Sequence, residues 1–89
     1  MTFEWDETKA VINLQKHGVA FEEVSRFSWD TALMVIHNRH QREVRARVFG
    51  YIGRRLFYLV FTLTDPTARL ISLRKANSKE VRRYAQTET

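Results

Sequence analysis

The stretch Arg45-Ala46-Arg47-Val48-Phe49-Gly50-Tyr51-Ile52-Gly53-Arg54-Arg55-Leu56-Phe57-Tyr58-Leu59-Val60-Phe61-Thr62-Leu63-Thr64 decides the fold. Two runs rich in β-branched and aromatic residues, Arg45 to Ile52 and Leu56 to Thr64, are parted by Gly53-Arg54, which predicts two strands and a tight turn. So short a join makes them antiparallel. Working outward, Ala32 to His37 and Arg69 to Lys75 are further β-rich runs, the second entered through the Asp65-Pro66 break. Upstream of them the period lengthens. Asp6 stands as an N-cap before Lys9, Ala10, Ile12, Asn13, Leu14 and Lys16, with Gly18 just past the end, so a helix is expected from Glu7 to His17. Its apolar set, Ala10, Val11, Ile12 and Leu14, is expected to cover a face of the sheet. Phe21, Val24 and Phe27, spaced by three, predict a short helix from Phe21 to Arg26. Asn77 or Ser78 caps a last helix from Lys79 to Gln86. The expected fold class is α+β: two N-terminal helices, an antiparallel sheet of about four strands, and a C-terminal helix.

With 89 residues, 44% of them hydrophobic and 28% charged, the chain suits one core, and residues 1–89 are read as a single domain. No cysteine is present, which excludes disulfides, thiolate zinc sites and thiol catalysis together. Packing or a partner must hold so short a chain, which points to a cytoplasmic protein working in a complex. Glu4, Asp6 and Glu7 interrupt the N-terminal region where a secretory signal would be apolar, and no run of about 18 apolar residues exists to span a membrane.

The charge of +5 is unevenly spread. Residues 1–38 hold three lysines and arginines against six acids, and residues 39–89 hold twelve against four. A basic half of this kind is a polyanion signature, because each neutralised phosphate releases counterions. Alternation sorts the strands into two faces. Val48, Ile52, Phe57, Leu59, Phe61, Leu63, Ile71 and Leu73 form an apolar set expected beneath the helices. Arg45, Arg47, Phe49 and Tyr51, then Leu56, Tyr58, Val60 and Thr62, then Leu70, Ser72 and Arg74 form the other. Arginines two apart can clamp successive phosphates, and rings between them offer stacking platforms, so single-stranded RNA fits this face better than duplex DNA. The alternative is that the rings make a minor core under the C-terminal helix with the arginines only rimming it.

The opening Phe3-Glu4-Trp5-Asp6-Glu7, with Lys9-Ala10, Asn13, Lys16-His17-Gly18-Val19 and Phe21-Glu22-Glu23, resembles the N-terminal signature of the BrnT toxin family. The closing Arg69-Leu70-Ile71-Ser72-Leu73-Arg74-Lys75-Ala76, followed by Glu80, Arg83 and Tyr84, resembles that family's C-terminal signature. The resemblance implies a RelE-like toxin of a type II toxin-antitoxin system that cuts RNA without a metal. It also implies a BrnA-type antitoxin that forms a heterotetramer with the toxin and alone meets operator DNA. Two departures stand out: Leu73 in place of a small residue, and a basic, histidine-bearing Asn38 to Arg42 connection.

Cutting RNA without a metal needs a base for the 2′-hydroxyl, a stabiliser of the pentavalent charge and an acid for the leaving oxygen. Arg74, on the basic face, is the first candidate stabiliser, a surface ion pair being its alternative. Tyr84 stands where RelE-like toxins often place a functional tyrosine; it could donate to the leaving group, stack on a base, or simply pack. His17 titrates closest to neutrality and could be the base, yet a helix C-terminus favours imidazolium for capping alone. Arg45 and Arg47 suit phosphate clamps, and Phe49, Tyr58, Lys75 and Arg83 complete the RNA-binding set, with Lys75 turned away by alternation if the strand continues. His17, His37 and His40 do not form a metal set, and no Gly-rich phosphate loop is present, so no cofactor is expected. A non-catalytic RNA- or DNA-binding module is the competing function.

Overall fold

The structure, a computed structural model, describes residues 2–37, 44–64 and 67–87. In chain order it runs β1 (Phe3–Glu4), α1 (Glu7–His17), a 3-10 helix (Phe21–Arg26), β2 (Leu33–His37), β3 (Val44–Ile52), β4 (Arg55–Thr64), β5 (Thr67–Lys75) and α2 (Ser78–Thr87). The sheet order is β1-β5-β4-β3-β2, antiparallel throughout except that β1 runs parallel to β5. The Asn38 to Arg42 connection and the Asp65-Pro66 break lie outside the described residues.

Local signals set the helix ends. The Asp6 carboxylate accepts from the Thr8 and Lys9 amides at 2.7 and 3.3 Å, and Gly18 closes α1 with φ 70, a conformation that costs glycine no steric penalty. At α2 the cap is Asn77: its Oδ1 accepts from the Glu80 amide and Glu80 Oε1 accepts from the Asn77 amide, both at 2.9 Å. That reciprocal pair is a capping box and satisfies two otherwise orphaned donors.

Three features depart from the sequence reading. A fifth strand, β1, pairs Phe3 with Ala68 and Glu4 with Arg69; two residues are too few to show any period. Of the apolar residues of α1, Ala10 packs against the core but Val11, Ile12 and Leu14 do not cover the sheet, being all at least 50% exposed. The buried residue of α1 is Asn13 instead. Its Nδ2 donates to the carbonyls of Leu73 and Val19 at 2.8 and 3.0 Å, and its Oδ1 accepts from the Leu73 amide at 3.3 Å. The amide thus takes both backbone groups that Leu73 turns away from β4, where β1 no longer reaches, and α1 finishes the edge of the sheet.

The third departure lies in β5. Val60 pairs with Ser72 and Phe61 with Leu70, so Ile71 is an extra, bulged residue and the alternation slips by one. Leu70 is therefore fully buried under the sheet, where Ile71 was expected, and Ile71 is only half-buried. Leu63, also expected in the core, is 40% exposed near the strand's end.

The main core lies on the inner face, where Val48, Ile52, Phe57, Leu59, Phe61, Leu70 and Leu73 meet Val19, Phe21, Val24 and Phe27. Leu73 fills this core outright, which accounts for a large residue at that position. Fully burying such a side chain is worth about 1.5–3 kcal/mol. Phe27 lies against Gly50 so closely that a Cβ there would stand 2.4 Å from its ring, so β3 needs glycine at that point.

Candidate functional site

Register builds the outer face in rows across β3, β4 and β5. Arg45, Thr62 and Arg69 form one row, Arg47, Val60 and Ser72 the next, and Phe49, Tyr58 and Arg74 a third. Tyr51 and Leu56 follow at the end nearest α2. The Phe49 and Tyr58 rings pack at 4.8 Å and Arg74 stacks over Tyr58 at 4.4 Å from the ring centroid. A planar guanidinium gains from the ring's negative face at that range.

Arg74 is held from a second side as well. Its Nη1 and Nη2 donate to the two carboxylate oxygens of Glu80, each at 2.9 Å, and Nη1 also donates to the Lys75 carbonyl at 3.2 Å. The hydrogen bond to Glu80 is the main cause that raises the Arg74 pKa above its usual value, and the same bond lowers that of Glu80. Three of the five guanidinium N–H groups are so engaged, which leaves two for a ligand. Glu80 is the residue the sequence reading missed. The Asn77-x-x-Glu80 spacing carried the signal, because a capping-box carboxylate is fixed at the helix start and can receive a second partner there.

His17 is the last residue of α1. Its pKa lies below 6.5, first through burial, then through the charges of Lys16 and Arg74. The helix C-terminus was expected to favour imidazolium; burial and the neighbouring cations act in the opposite direction. Arg74 and His17 are thus brought into electrostatic reach of each other.

Tyr84 goes elsewhere. It is 3% exposed in a second small core with Leu56 and Ala76, against which Phe49 and Tyr51 pack. Its hydroxyl donates to the Thr31 carbonyl and its ring meets Tyr51 edge-on at 5.6 Å. Arg45 and Arg47 are exposed, Phe49 and Tyr58 half-buried, and Arg83 exposed on α2. Lys75 is exposed and paired with Phe57, a core residue, so it points off the inner side. Among the described residues no group of three His, Asp or Glu side chains is placed to hold a metal, and no helix is long and apolar enough to cross a membrane.

Arginine rows over a mixed apolar and hydroxyl floor, with one guanidinium braced by a carboxylate and a ring, define a small α+β domain with a basic outer sheet face. A family model described as "Ribonuclease toxin, BrnT, of type II toxin-antitoxin system" matches residues 5–80. The chain belongs to that family, and ribonuclease activity and a cognate antitoxin follow from membership. No curated protein matches it.

Proposed function

We propose that this chain is a metal-independent endoribonuclease that cuts RNA in the cytoplasm, stops translation and growth, and leaves a 2′,3′-cyclic phosphate. The observation that carries the reading is the Arg74 guanidinium braced by Glu80 and Tyr58, with His17 sharing a groove with Ser72, two residues before Arg74 on the same strand. A neutral imidazole can take the proton of the 2′-hydroxyl as that oxygen attacks the phosphorus. The charge that gathers on the pentavalent phosphorus then meets a guanidinium already oriented by Glu80 and Tyr58, at no further ordering cost. Arg45 and Arg47 hold neighbouring phosphates, Phe49 and Tyr58 support a base, and Arg83 extends the basic rim, while Lys75, on the other side of the sheet, takes no part. Tyr84 anchors α2, and with it Glu80 one turn earlier on the same helix face. Acting as an acid would require it to give up Thr31, so water supplies the proton to the leaving oxygen.

A BrnA-type antitoxin neutralises the toxin in a heterotetramer and carries the contact with operator DNA. In support, Leu33, Met34, Val35 and Ile36 run along the sheet edge beside the basic face and are between 37% and 54% exposed. Edge strands this apolar normally find cover. An antitoxin lying over the basic face should protect Arg45 to Tyr51 and Arg69 to Lys75 from hydrogen exchange.

The decisive experiment incubates the purified chain, stripped of partner, with RNA in EDTA. Fragments ending in cyclic phosphate are expected. Intact RNA, bound but uncut, would instead establish the non-catalytic binding module.

A further inference from the structure

Beside His17 a groove of about 220 Å³ opens between α1 and β5, with Lys9, Ile12, Lys16 and His17 on one wall and Ile71 and Ser72 on the other. Two independent features shape it. The bulge in β5 turns Ile71 out of the core, and bulges that re-aim a side chain gather next to active sites. On α1, Lys9, Ile12 and Lys16 are spaced by three and four, so they share one flank, and Ile12 is 54% exposed there. The Asn13 amide, also in the lining, is spent on three backbone hydrogen bonds. Polar recognition therefore falls to Lys9, Lys16, His17 and Ser72.

We propose that this groove is a ribonucleotide subsite, taking the base of a nucleotide next to the cut between Ile12 and Ile71 and its phosphate on Lys9 and Lys16. The inference rests on the cleavage site proposed at Arg74 and His17, since His17 belongs to both. Paired cations beside apolar walls suit a flat ring joined to an anion. A bare anion would leave the isoleucines without a role, and an apolar ligand would leave the lysines without one. The volume is below the roughly 300 Å³ at which pockets for drug-sized ligands begin, which favours one base over two. Isoleucine walls offer no hydrogen bonds to base edges, so this subsite discriminates weakly between bases.

The test uses the full chain and a 2′-O-methyl oligonucleotide, which binds but cannot be cut. The chain has four isoleucines, and Ile36 and Ile52 serve as references for Ile12 and Ile71 in methyl NMR. Titration should shift Ile12 and Ile71. Combining Lys9→Ala with Lys16→Ala should weaken binding and reduce the salt slope by roughly 1.4, about 0.7 for each single-strand phosphate that is no longer neutralised. With cleavable RNA the loss should fall on KM more than on kcat. Arg82→Ala, which removes an exposed charge from α2, should change the affinity far less. Shifts at Ile12 and Ile71 without cleavage by the native chain would keep the subsite and remove the nuclease reading. Unchanged affinity in the double lysine variant, shifts confined to the outer face, or equal weakening by Arg82→Ala would overturn the subsite and leave the nuclease reading standing.

Discussion

Tyr51 and Leu56 at one end of the outer face, and Arg47 and Val60 further along it, come from the same two strands and obey the same alternation. At the first end α2 closes over the sheet and brings Tyr84 down onto Leu56 and Ala76, so aromatic residues there become a core. At the second, Thr62 and Val60 are nearly or fully buried between strands bearing Arg45, Arg47 and Arg69, all three exposed and Arg69 paired with Glu4 at 3.2 Å. Tyr58 is the hinge between the two, packed on Phe49 and carrying Arg74. Interleaved rings and arginines thus form two surfaces that differ in burial. The minor-core reading posed by the sequence holds at the closed end, while at the open end the arginines stay exposed.

The sharpest way to break the comparison is at the closed end. Tyr84→Ala should cost about 4 kcal/mol, the usual range for emptying a buried aromatic site, and should free α2. Urea unfolding measures it. Tyr84→Phe should lose only about 1–2 kcal/mol through the unpaired Thr31 carbonyl and should keep RNA cleavage. A Phe variant that is stable yet inactive would return the hydroxyl to the chemistry.

At the junction, Arg74→Ala should lower kcat by about 10²–10³-fold, the usual effect of deleting one preset charge stabiliser, with the fold retained. Full toxicity of that variant at equal protein level, without antitoxin, would remove Arg74 from the site.

His17 supplies a pH test. Because its folded pKa lies below 6.5, the acid limb of kcat/KM should fall below pH 6.5, and His17→Ala should abolish that limb. The stability sign follows: the unfolded chain binds this proton more readily, so its contribution is present above pH 6.5 and is lost as pH falls through the folded pKa. An acid limb above 6.5, or one that survives in His17→Ala, assigns the base to another group.

The smallest effect is expected at the open end. Replacing Arg45 and Arg47 together by alanine should change stability by no more than about 0.5 kcal/mol per site, while reducing the salt slope of single-stranded RNA binding by roughly 1.4. A collapse of the fold would show that the open end is core after all.

Signals that act within a few residues were legible in the chain. Asp6 and Gly18 bound α1, Gly53-Arg54 turns β3 into β4, and alternation on those strands separates arginines from core, because capping, turn geometry and the pleat depend on near neighbours. The basic half and Arg74 as a site candidate were legible for the same reason. Contacts far apart in sequence settled the rest. Asn13 reads as one polar residue on a helix until the open edge of β5, sixty residues away, requires a donor and an acceptor together. Ile71 reads as core until the β4–β5 register leaves it without a partner. Tyr84 and Glu80 divide between anchoring and bracing only once α2 is laid on one end of the sheet. Sequence by itself determined the elements other than β1 and the charge of the face. Tertiary structure decided which ring is buried and which arginine is braced, because burial and pKa depend on what other segments bring into contact.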